Sequence, residues 1–185
     1  MGAITQQLLT LLGVVVGAAA TFSATVLTER AKWRRTLDTR WDDKRLTAYF
    51  EYANALKKYA TLCHRLAAAR GYRTATQPID LEEGIAALAE ADAEKAIKWE
   101  QVLLLGSPGA VAAARRWTDA VWRLSHIARG HAVDQVAYTD LYEEAGRRRN
   151  QFYELARADL GVTSGELPPG DVAWLEPAEL GIETR

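Results

Sequence analysis

The side chains in this sequence that most often carry catalysis or hold a metal are Cys63, the only cysteine, and three histidines, His64, His126 and His131. A zinc site on a helix needs an HExxH pattern, and a di-iron site in a helical bundle needs ExxH pairs; none of the histidines belongs to either. No metal and no other cofactor is therefore expected. Cys63 and His64 are neighbours, so on a helix their side chains diverge by about 100°, and a nucleophile–base pair would have to be completed from elsewhere. Cys63 also falls on an apolar stripe, where it reads as a small buried hydrophobe. The phosphate-cradling GxxxxGK[ST] loop and the GxSxG elbow are both absent, and no predicted strand would support either. No residue is assigned a catalytic role on this reading, and the chain is not expected to be an enzyme.

The charged residues point the same way. Arg147, Arg148 and Arg149 have the chemistry to bind phosphate or anionic lipid, but Glu143, Glu144 and Glu154 lie close enough along a helix to pair with them. A solvated, salt-bridged face is the expectation, and Arg115 and Arg116 are read alike. The formal net charge of −1 gives no reason to expect a nucleic-acid partner. A lone cysteine forms no intramolecular disulfide, which fits a reducing compartment.

Those residues must be positioned by elements, and the first is apolar. From Leu8 to Leu27 there is no charged side chain, and at about 1.5 Å per residue the stretch reaches roughly 30 Å, the hydrocarbon thickness of a bilayer. Its polar side chains, Thr10, Thr21, Ser23 and Thr25, can bond back to their own helix. The expectation is a single-pass anchor over 1–28 in the cell membrane; a cleaved signal stays open, because "AAA" and "SAT" are small-residue cleavage candidates. Arg30, Lys32, Arg34 and Arg35 follow the span, so the C-terminal side is expected in the cytoplasm, with Trp33 at the membrane interface or at the start of a core stripe. Gly13 and Gly17, continued by Thr21 and Ala24, form a small-residue strip on which two such helices could pair. Lipid and a second copy of the chain are thus candidate partners.

The remainder is predicted to be helical. From Thr28 to Arg70 there is neither proline nor glycine, and Trp33, Leu37, Trp41, Ala48, Tyr52, Leu56, Tyr59, Cys63 and Leu66 recur every three or four residues. That face either packs within the chain or extends a parallel coiled coil, two uses that compete. A second helix is predicted over Ile79–Leu105, with Leu81, Ile85, Leu88, Ala96, Trp99 and Leu103 on one side and Gly84 as a weak point. Ser107 and Pro108 restart the chain as N-cap and first helical residue of a third helix, which runs to Arg129. A fourth spans about Asp134–Leu160. Trp99, Trp117 and Trp122 are expected in the core, Trp122 being the one that could lie off the main stripe. An all-α fold follows, an antiparallel bundle of about four helices over 29–161, trailed by an irregular acidic, proline-containing tail over 162–185. In that tail Trp174, Leu175 and Leu180 are candidates for docking a partner or for packing back on the bundle.

The segments "LLLGSP", "AARRWTDAVWRL" and "FYELARADLGV", after an apolar start followed by "TERAKWRR", resemble a group of small, uncharacterised, membrane-anchored helical proteins of actinobacteria. The resemblance implies an anchored bundle and assigns no activity. The function expected is a membrane-tethered interaction or adaptor module on the cytoplasmic face that recruits an unknown protein. The alternative is an oligomeric transport-associated or membrane-acting protein.

Overall fold

The computed structural model describes residues Gly2, Phe22, 41–163, Gly165 and 167–170, and the chain divides into two units, Met1–Asp43 and Lys44–Arg185. In the first unit the described residues are helical. The expected membrane span, the pairing strip of Gly13, Gly17, Thr21 and Ala24, the interfacial Arg30, Lys32, Trp33, Arg34 and Arg35, and the tail residues Trp174, Leu175 and Leu180 all lie outside the described residues. Among the described residues, no helix is long and apolar enough to cross a membrane.

The second unit is all-α, and its described residues contain no strand. Helix α1 occupies 44–69, α2 Leu81–Leu105, α3 Pro108–Ala128 and α4 Gln135–Asp159. Each start is written locally. Asp80, Ser107 and Asp134 accept hydrogen bonds from the first-turn amides of α2, α3 and α4, satisfying donors that a helix leaves unpaired. Helices α1 and α3 stop at Gly71 and Gly130, both at positive φ (92° and 107°). There the amides of Tyr72 and His131 reach back to the carbonyls of Ala67 and His126, the turn that glycine permits at least cost.

The core is aromatic. Tyr52, Tyr59, Leu56 and Leu66 of α1 are buried with Trp117 and Leu124 of α3 and Phe152 of α4, and Trp117 lies 5.7 Å from Phe152 between ring centroids. This settles the competition on α1. The face of Tyr52, Leu56, Tyr59 and Leu66 is consumed inside the chain, so a parallel coiled coil through those residues is excluded: the same atoms cannot pack twice. The Tyr52 hydroxyl contacts Thr118 Oγ1 and donates to the Ala114 carbonyl at 3.1 Å. Among the described residues, no buried side-chain nitrogen or oxygen lacks a partner.

Helix α2 runs antiparallel to α1, as Lys58–Glu94 at 2.8 Å, Lys98–Glu51 at 2.9 Å and the bond from Arg45 Nε to the Leu105 carbonyl at 2.9 Å show. Its inward residues are Gly84, Leu88, Ala91 and Val102. The predicted stripe is therefore partly wrong: Leu88 is inside and Trp99 half-buried, but Leu81, Ile85, Ala96 and Leu103 are exposed. The cause is close packing at Gly84, where a Cβ would stand 2.7 Å from Leu66 Cδ2 and 2.8 Å from Ile79 Cγ2. Gly84, read from sequence as a weakness of the helix, is where α2 meets α1.

Candidate interaction surface

Among the described residues, nothing covers the outward side of α2. Leu104 is 82% exposed and Ile97 66%, and Leu81, Ile85 and Leu103 join them, with the exposed alanines Ala86, Ala89, Ala93 and Ala96 between. At 100° per residue these side chains share one half of the helix. Scattered exposed leucines need no explanation, but an apolar strip from Ile85 through Ala89, Ala93 and Ala96 to Ile97 on one side of a helix marks a surface that meets something apolar. Carboxylates accompany it. Glu82 and Glu100 fall within the same half of the helix near its two ends, and Glu83 and Glu90 along one edge; all four are exposed, while the two lysines of α2 are engaged, Lys95 with Asp92 at 2.5 Å and Lys98 with Glu51.

The residues with catalytic potential are differently placed. Cys63 is buried, and burial pushes its thiol up to about 12, so it is a protonated core side chain at neutral pH. The His64 imidazole is enclosed by tyrosines: Nδ1 is 3.0 Å from the Tyr138 hydroxyl and the Tyr142 ring lies 4.7 Å away, edge to face. Burial lowers its pKa to about 4, which keeps it neutral at neutral pH. The other two histidines meet at the end of α3, His126 and His131 at 5.2 Å between ring centroids. Trp122 packs edge-on against His126 at 4.2 Å; it is exposed, the alternative to the core position expected of it. Among the described residues, no group of three or more histidine, cysteine or carboxylate side chains could hold a metal ion.

Further polar contacts tie the elements together. The Tyr49 hydroxyl donates to Asp159 at the end of α4 and accepts from the Ser107 amide at 3.2 Å, and burial together with that carboxylate pushes its pKa up to about 12. The expected ion pairs of α4 form for two of its arginines, Arg147 with Glu143 and Glu144 and Arg148 with Glu144. Arg149 departs from the expectation and turns to Asn150 Oδ1 at 3.2 Å.

Sequence reading missed the α2 surface because α2 carries two apolar stripes, and periodicity does not say which one faces in. Its two-sidedness was the available signal, with Gly84, the one glycine of α2, on the inner side. No family model matches this chain, and no curated protein or solved structure matches it either.

Proposed function

We propose that the chain is a membrane-tethered interaction module, held at the cytoplasmic face by residues 8–27, whose α2 docks an amphipathic helix of a partner protein. The observation that carries this reading is the exposed apolar strip of α2 with carboxylates among and beside its residues. A partner helix with an apolar stripe that carries lysine or arginine near its ends and along one edge complements both features, since the stripe buries area and the cations meet Glu82 and Glu100 near the ends of α2 and Glu83 and Glu90 along its edge. The tether is supported by the uncharged run and the basic flank that follows it, and the actinobacterial resemblance fits it.

The test is site-specific photo-crosslinking from position 97 or 104 in cells, with position 154 on the exposed side of α4 as control. A discrete heterologous adduct from 97 and 104 but not from 154, weakened by Glu90→Lys with Glu100→Lys, is expected. Adducts only between copies of the chain would replace this reading with the oligomeric one, and no adduct at all would remove α2 as the docking surface.

A further inference from the structure

The start of the tail is fastened to α4 by a contact that only glycine allows. At Gly170 a Cβ would stand 2.5 Å from the Gly146 carbonyl oxygen and 2.5 Å from Asn150 Cγ, so 167–170 lies directly on the helix backbone. Asn150 locks it there, donating from Nδ2 to the Pro168 carbonyl at 2.6 Å. That orientation turns Asn150 Oδ1 toward Arg149, whose Nε and Nη2 donate to it at 3.3 and 3.2 Å. The strap thereby positions a guanidinium through one amide.

Beneath the strap is an open depression of about 260 Å³, lined by Lys57, Arg149, Asn150, Tyr153 and the apolar Leu167, Pro168 and Pro169. Among the described residues, two cations line it and no carboxylate does. This differs from the neighbouring turns of α4, where Arg147 and Arg148 are paired with glutamates, and from Lys58, which is paired with Glu94. Like charges that line one depression repel, and an anion shared between them removes the repulsion and accepts charge-assisted hydrogen bonds. We infer that Lys57 and Arg149 bind the phosphate of a small soluble phosphomonoester, with its organic body against Pro168, Pro169 and the Tyr153 ring.

The donor set favours phosphate over carboxylate. A compact ammonium and a planar guanidinium together supply two positive charges for a dianion, whereas a planar carboxylate is satisfied by one bidentate arginine. The surface is separate from the α2 docking side and uses none of its residues, so either reading can fail alone.

The test is calorimetric titration of phenyl phosphate, benzoate and a short-chain phosphatidic acid into the full chain in non-ionic detergent. Saturable binding of phenyl phosphate is expected, at least about tenfold tighter than that of benzoate and weakened by about tenfold or more in both Lys57→Gln and Arg149→Gln. Lys57 is exposed, so its variant should keep the native circular dichroism. Gly170→Ala, which unseats the strap without touching a charge, should also weaken binding. No saturable binding, equal affinity for benzoate, binding of the lipid alone, or affinity unchanged in both charge variants would each overturn the assignment.

Discussion

His64 shows how a residue type that suggests chemistry becomes a structural element. Its partners are the Tyr138 hydroxyl and the Tyr142 ring, with Cys63 beside it in sequence, so the groups around it are phenols and a thiol and supply no negative charge at neutral pH. Folding lowers its pKa from 6.5 to about 4. The unfolded chain therefore takes up the proton first, and folding stability falls as pH drops through 6.5 toward 4, by up to about 3 kcal/mol from this group alone. Urea unfolding at pH 7 and pH 4.5 should show that loss, and His64→Gln should flatten the dependence; an unchanged slope in the variant would assign the acid sensitivity to other groups. Trp117 belongs to the same scale. It is 2% exposed and packs against Phe152 and Tyr52, so Trp117→Ala should cost about 3–5 kcal/mol, measured as a shift in the denaturation midpoint.

At the level of elements, α2 is held on one side and left bare on the other, and substitutions should separate the two. Ala in place of an interior helical glycine normally gains about 0.5–1 kcal/mol. Gly84→Ala should instead destabilise by about 1 kcal/mol or more, because the new methyl meets Leu66, which is fully buried and cannot swing away. Ile97→Gln and Leu104→Gln, on the uncovered side, should change stability by no more than about 0.5 kcal/mol while abolishing the crosslinks proposed above. Thermal melts of the three variants test the contrast directly. If the two glutamine variants melt early, that side is covered within the chain itself and is no docking surface.

For the whole molecule, the proposal of a tether makes a topological statement. A cytoplasm-dependent reporter fused at the C-terminus should be active and an export-dependent one silent, because Arg30, Lys32, Arg34 and Arg35 follow the span. The reverse pattern would invert the orientation. If Gly13 and Gly17 form a pairing surface, Gly13→Ile and Gly17→Ile should lower association of the isolated span in a membrane reporter assay; equal signals would leave residues 8–27 as a simple tether. Such pairing would now have to rest on the span, since Tyr52, Leu56, Tyr59 and Leu66 are spent on the chain's own core.

The sequence alone determined the helices of the bundle, because their signals are local. Ser107–Pro108 and Asp134 start two of them, Gly71 and Gly130 end two, and apolar residues recurring every three or four positions fill them; the start of α2 was read at Ile79, two residues before the helix that Asp80 caps. It also identified Trp117 and Cys63 as interior, since each lies on a helix with one clear apolar stripe. Only the tertiary structure decided which side of α2 faces in, because that depends on how closely a neighbouring helix approaches Gly84, and no period in α2 encodes the shape of α1. The cationic depression was illegible for the same reason. Lys57 and Arg149 lie far apart in the chain, and the amide that positions one of them is held by a proline carbonyl in a tail that composition alone describes as irregular.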